Sequence, residues 1–396
     1  MEKQEFLSRY GVDRHDSLSL KWDLLEERYG DPDLVPMWVA DMDFKVCDSV
    51  TQALQERVDH GVYGYTYIPQ AFYDAFFAWE KKHFGVELKK EWMRSTTNIV
   101  QALFHLIQVF TEPDDSVVIL TPIFTPFHYS VRDCGRRLIT VPLTYDEGHF
   151  DVDLRRFEEA IVDSKAKLYI HCNPHNPAGR VWTEEEQAGM FEICRKHGVT
   201  IINDEVHQDF VWEGHKHVSA LNVADGAYRD IMVTVNSGSK TFNIAGLIQS
   251  MIIITNPELM AKYDKFASMN MVTEWNLLGL SATTAGYAGG EEWFSALKEV
   301  IWDNYVYLRD TIASEAPEIT VCDLQGTYLA FVDLGKILNG RDIKDVVLND
   351  CKLAVNWGDT FGVDYATFIR LNLATTPETV KRTVDALVSA AKASRS

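Results

Sequence analysis

From Val117 to Thr255, short apolar runs alternate with longer stretches whose apolar residues recur at helical spacing. This is the pattern of a mostly parallel sheet joined by crossover helices. It predicts strands at Val117–Thr121, Leu138–Pro142, Lys167–Cys172, Val199–Asn203, Ile231–Asn236 and Ile248–Ile254. Between the third and fourth, Thr183, Glu184, Glu185 and Glu186 read as a capping box that opens a helix running to His197 and Gly198. Near the C-terminus, Thr376 and Pro377 supply a cap and a helix-compatible first residue. Val380, Val384, Leu387, Val388 and Ala391 then follow at helical spacing, so this helix should pack one face on a smaller C-terminal domain. No repeat, low-complexity tract or Pro/Gly/Ser linker interrupts the pattern, so the domains should be packed together rather than strung out.

Length and composition narrow the class. With 396 residues, 46% of them apolar, the chain can bury the core of two or three domains. A disordered, collagenous or disulfide-stapled chain is excluded. The formal charge of -20, with no local Lys/Arg patch, argues against nucleic acid or an anionic membrane as partner. Cys47, Cys134, Cys172, Cys194, Cys322 and Cys351 form no Cys-x-x-Cys pair and no zinc spacing, which suits a reducing compartment. The first residues lack a basic stretch followed by an apolar one, and the longest apolar runs, such as Met251–Ile254, are too short to span a bilayer. The expectation is a soluble cytoplasmic protein. His175, His207 and the other histidines show no metal spacing and read as structural, so no metal site is expected.

Three segments carry chemistry. Ser237-Gly238-Ser239-Lys240-Thr241-Phe242-Asn243 follows an apolar run; a lysine there can form a Schiff base, and Ser237 and Ser239 can donate to a phosphate. A solvated surface lysine is the plain alternative. Asn203-Asp204-Glu205-Val206-His207 places a carboxylate just beyond a strand, where an open parallel sheet offers its ligand crevice. Asp204 could keep a pyridine nitrogen protonated there, or could simply cap a helix. In Asn173-Pro174-His175-Asn176-Pro177-Ala178-Gly179-Arg180, two Asn-Pro steps force an extended turn that presents the Asn176 amide to the same crevice.

Asn176 in Asn-Pro-Ala-Gly, Asp204 in Asp-Glu-Val-His, Lys240 in Ser-Lys-Thr-Phe-Asn and Arg370 in Phe-Ile-Arg-Leu-Asn resemble, in order and spacing, the fold-type I pyridoxal-phosphate enzymes of the aminotransferase superfamily. The resemblance covers nearly the whole chain, with 28 residues from Asn176 to Asp204 and 36 from Asp204 to Lys240. It implies an α/β fold: a large domain with a mostly parallel seven-stranded sheet flanked by helices, and a smaller α+β domain. The expected limits are 1–48 for an N-terminal segment joining the small domain, 49–286 for the large cofactor-binding domain and 287–396 for the rest of the small domain.

Carried over residue by residue, the resemblance implies that Lys240 forms the Schiff base with pyridoxal 5'-phosphate and Asp204 pairs with the pyridine nitrogen. Asn176 would bind the phenolic oxygen, Phe124 would lie over the cofactor ring, and His207 would belong to the same pocket. Ile99 and Val100 would offer helix N-terminal N–H groups to the phosphate. Arg370 would hold the substrate carboxylate as a bidentate pair, with Ala40 offering its backbone N–H. Tyr63 and Tyr65, in Tyr63-Gly64-Tyr65-Thr66, resemble a segment that reaches a neighbouring subunit's site, implying a homodimer.

Pro36-Met37-Trp38-Val39-Ala40-Asp41-Met42-Asp43-Phe44, the Ser-Lys-Thr-Phe-Asn run and His207 instead of tyrosine resemble the cystathionine beta-lyase or carbon-sulfur lyase branch. Three positions depart from the family pattern: Phe124 for a usual tyrosine, Gly238 for a common proline, which should loosen the loop, and Asn98 for a usual glycine. The implied reaction is α,β-elimination from L-cystathionine, L-cysteine or a related S-substituted cysteine, giving a thiol or sulfide, pyruvate and ammonia. An aminotransferase using the same lysine is the first alternative. A regulatory binding protein on the same fold is the second.

Overall fold

The protein is described by a computed structural model covering residues 1–272 and 275–395. Thr273 and Glu274, inside the expected large domain, and Ser396, at the end of the expected small one, lie outside the described residues. Seven strands build the large sheet: β1 (Met93–Thr96), β2 (Ser116–Thr121), β3 (Arg137–Pro142), β4 (Leu168–Cys172), β5 (Thr200–Asp204), β6 (Met232–Asn236) and β7 (Ser250–Ile254). Their spatial order is β1-β7-β6-β5-β4-β2-β3. Strands β2 to β6 run parallel, and β7 is antiparallel to both its neighbours.

All six expected strands are present, with no end displaced by more than two residues. Their continuous apolar runs follow from burial on both faces: Val118 and Leu120 enter one core, Val117 and Ile119 the other. Strand β1 escaped the pattern because Met93-Arg94-Ser95-Thr96 is an edge strand paired only with β7, and an edge needs no apolar run. Asp204 is the last residue of β5 rather than the first beyond it, held in register between Cys172 and Val235. No helix starts there, so the capping alternative for Asp204 is not realised.

A second sheet comprises β8 (Thr320–Val321), β9 (Leu329–Asp333), β10 (Asn356–Trp357) and β11 (Phe368–Asn372), antiparallel in the order β8-β9-β11-β10. In the N-terminal segment, Val35 and Pro36 pair with Leu353 and Ala354, and Phe6 packs against Trp293. The closing helix, Pro377–Ser394, buries all five residues of the expected stripe. Among the described residues, no helix is long and apolar enough to cross a membrane.

The capping box opens the helix Glu184–Lys196, with both reciprocal bonds formed. The helix ends one residue before His197, short of the expected limit. Thr183→Ala is expected to cost about 1 kcal/mol, the usual loss for a cap. A denaturation midpoint equal to that of the wild type would remove the cap from the account.

Candidate active site

The paired positions of Cys172, Asp204 and Val235 bring the carboxyl ends of β4, β5 and β6 to one level. The loops leaving them line a cavity of about 160 Å³, in the crevice that an open α/β sheet offers. Lys240, Asp204, Asn176, His207, Phe124, Ser239, Ile99, Val100 and Ala40 all line it. Residues from six separate stretches of chain thus converge, with Phe124 and Val206 supplying apolar wall.

Lys240 sits on the short helix Gly238–Thr241, directly after β6. Its Nζ donates to the Ala40 carbonyl at 2.7 Å. Burial lowers the amine to a pKa of about 8; Asp41 and Asp204 pull against that shift, while the Arg370 cation adds to it. The Ala40 carbonyl also accepts the Tyr328 hydroxyl at 2.9 Å. The loop bearing Ala40 is gripped on each side. Asn372 Nδ2 donates to the carbonyls of Val39 and Asp41, and Asn243 Nδ2 donates to those of Met42 and Phe44.

Asp204 is buried, and Val206 N–H donates to its Oδ1 at 3.0 Å. Burial pushes its carboxyl up to about 7, against the pull of that N–H and of Lys240. His207 is buried with Nδ1 unpartnered, and burial together with the Lys240 and Arg370 cations keeps the ring neutral. Asn176 Oδ1 accepts Arg370 Nη1 at 3.0 Å, so its Nδ2 is the atom left to donate elsewhere.

Arg370, on β11, is only 4% exposed. Its hydrogen-bond partners are neutral: Asn176 Oδ1, the Trp38 carbonyl at 3.2 Å and Asn356 Oδ1 at 2.7 Å. The guanidinium carbon also lies 5.0 Å from the Phe361 ring centroid. Burial lowers its pKa to about 10, and its Nε has no hydrogen-bond partner among the described residues. A buried cation without an anionic partner is costly unless a ligand brings the counter-charge.

Several candidate residues make contacts that the sequence does not foretell. Ser237 does not line the cavity: its hydroxyl donates to the Gln249 carbonyl at 2.9 Å and accepts Ser239 N–H, so it caps the lysine helix. Ser239 alone of the two serines faces the cavity. Ala40 uses its carbonyl, not its N–H, in the contacts seen. Tyr63 and Tyr65 are exposed and line a surface hollow with Trp275, Leu277 and Leu278, outside the cavity of their own chain. Gly238 does not loosen the loop, because a Cβ there would meet Phe242 at 3.3 Å and Tyr287 at 3.4 Å. Asn98 needs no glycine: it is extended at φ -157° and caps the helix Ile99–Phe110 by accepting Gln101 N–H.

Sequence reading missed Tyr328 and Asn356, and also Thr97, Cys172 and Gln249 on the cavity wall. Asn356 carries no local signal, since only strand pairing sets it opposite Arg370. Tyr328 follows Thr327, a β-branched residue at φ +69°, which only the folded backbone reveals.

The donor set fits pyridoxal phosphate. Asp204, buried with a raised pKa, provides for a protonated ring nitrogen. The N-terminus of the helix Ile99–Phe110, with Ser239, provides for the phosphate. Asn176 Nδ2 suits a phenolic oxygen, and the Lys240 amine suits an aldehyde.

Comparison with known proteins agrees. The family model for aminotransferase class I and II matches residues 32–387. The chain is 36% identical to the cystathionine beta-lyase PatB of Bacillus subtilis (strain 168), over 93% of this chain and 96% of that one. It is 30% identical to the protein MalY of Escherichia coli (strain K12), over 97% and 98% of the two chains. The pyridoxal-phosphate-bound C-S lyase from Staphylococcus hominis superposes with a TM-score of 0.90 at 30% identity, covering 96% of each chain.

Proposed function

Because the chain belongs to the aminotransferase class I and II family, in its pyridoxal-phosphate-dependent carbon-sulfur lyase branch, we propose that it splits S-substituted L-cysteines such as L-cystathionine, or L-cysteine itself, by α,β-elimination. Substrate and water give a thiol or sulfide, pyruvate and ammonium. The observation that carries this reading is the pairing of a Lys240 amine lowered to about 8 with a buried Arg370 cation that has only neutral partners.

Pyridoxal phosphate, when bound, supplies an electron sink that makes the substrate's α proton removable. Arg370 binds the substrate carboxylate and sets the orientation of the α carbon. Lys240 Nζ leaves the Ala40 carbonyl to take the α proton; its lowered pKa keeps a useful fraction of neutral amine near pH 7. Asp204 holds positive charge at the ring-nitrogen end of the cavity. Phe124 and Val206 exclude water around the reacting atoms. The sulfur leaves readily because a thiol pKa is about 8.5.

The test mixes purified, cofactor-loaded protein with L-cystathionine, and separately with L-cysteine, without any keto acid. Repeated release of pyruvate with thiol or sulfide is the expected result. Turnover only after a keto acid is added would instead mean transamination.

We further propose a cytoplasmic homodimer in which Tyr63 and Tyr65 of each copy complete the other copy's cavity. Their exposure next to Trp275, Leu277 and Leu278 supports this arrangement. Tyr65→Phe is expected to weaken cofactor affinity by about 10- to 100-fold, the worth of one hydrogen bond to a charged group. The thermal stability of the cofactor-free protein should not move. Unaltered cofactor affinity would take Tyr65 out of the site.

A further inference from the structure

Asn356 and Arg370 are directly opposed residues of the antiparallel pair β10 and β11. Directly opposed residues send their side chains to the same face of a sheet. Arg370 Nη2 donates to Asn356 Oδ1 at 2.7 Å and to the Trp38 carbonyl at 3.2 Å, which occupies both of its N–H groups. Nη1 donates to Asn176, and Nε is left without a partner among the described residues. The guanidinium is therefore held firmly in orientation yet receives no negative charge.

We propose that Asn356 is a positioning residue that fixes the Arg370 guanidinium without neutralising it, so that the cation is met only by a carboxylate carried in by the substrate. The inference rests on Arg370 being the carboxylate anchor. Asparagine suits this task for a specific reason. An aspartate at the same position would accept the same hydrogen bond but also pair with the cation, and the incoming carboxylate would then compete with a built-in one. A residue without an acceptor would leave Nη2 with a single partner. Asn356 is half-buried on the last strand of its sheet, so an isosteric change there is compatible with folding.

The experiment compares the cofactor-loaded wild type with Asn356→Asp and Asn356→Ser. It uses calorimetric binding of 3-(methylthio)propionate and of its amide, which have no amino group to react, together with steady-state kinetics on S-methyl-L-cysteine. Asn356→Asp should weaken the carboxylate ligand at least tenfold, leave the weak binding of the amide unchanged, and raise KM with kcat held within about twofold. Asn356→Ser, which adds no charge, should lose far less affinity for the carboxylate. Equal losses for carboxylate and amide, or an unchanged carboxylate affinity in Asn356→Asp, would overturn the inference while leaving Arg370 as anchor. A wild type that does not distinguish the carboxylate from its amide would overturn the anchor and this inference together.

Discussion

Lys240→Ala is expected to lower the rate of elimination by at least about 10²- to 10⁴-fold, the contribution of a positioned general base. Its Nζ lies in the cavity that Asp204 also lines, with burial having already brought its pKa to about 8. Alanine removes both the attachment point and the base. Borohydride reduction should therefore leave the variant without covalently bound cofactor, while the wild type carries it at residue 240. A small primary amine added to the variant should restore part of the rate, because the cavity left by the side chain admits a replacement base. Wild-type turnover by the alanine variant would remove Lys240 from the mechanism.

Asp204→Asn should be nearly as damaging, and its effect on stability should reverse sign between the cofactor-free and cofactor-loaded forms. With cofactor bound, the variant leaves the cationic ring nitrogen without its buried counter-charge. Truncating one side of such a pair costs roughly 2–5 kcal/mol, or about 30- to several-thousand-fold in affinity or rate. Without cofactor the balance is different. The folded carboxyl titrates at about 7, above its ordinary value of 3.8. Between those values the folded state holds a proton that the unfolded chain has released, so stability falls as pH rises through that window. The penalty is complete above pH 7 and absent below about pH 4. Asparagine carries no such penalty. The cofactor-free variant should thus melt above the cofactor-free wild type at pH 8, with the gap closing toward pH 4, whereas the loaded wild type should melt above the loaded variant. The same order of melting in both forms at pH 8 would show that Asp204 does not pair with the cofactor.

The candidate lysine, the carboxylate and the asparagine turn were legible because each lies at the end of an apolar strand, and strand ends can be read locally. The tertiary partner of Ser237 was not legible in that way. The Ser237 hydroxyl, three residues before Lys240, reads as a phosphate donor, whereas in the fold it donates to the Gln249 carbonyl twelve residues on. Tyr63 and Tyr65 lie on the surface of their own chain, so no property of a single copy could draw them into its cavity.

By itself, the sequence determined the six strands between Val117 and Thr255, the capping box at Thr183, the five-residue stripe of the final helix and the family-specific spacing of Asn176, Asp204 and Lys240. These depend on periodicity and on neighbours within a few positions. Tertiary structure alone decided that Arg370 would be held by neutral acceptors, that Lys240 would rest on the Ala40 carbonyl, and that Tyr328 and Asn356 would share the site. Those contacts join residues 14 to 332 positions apart. The energy of a buried charge is set by whatever atoms the fold brings around it, and no local pattern encodes that set.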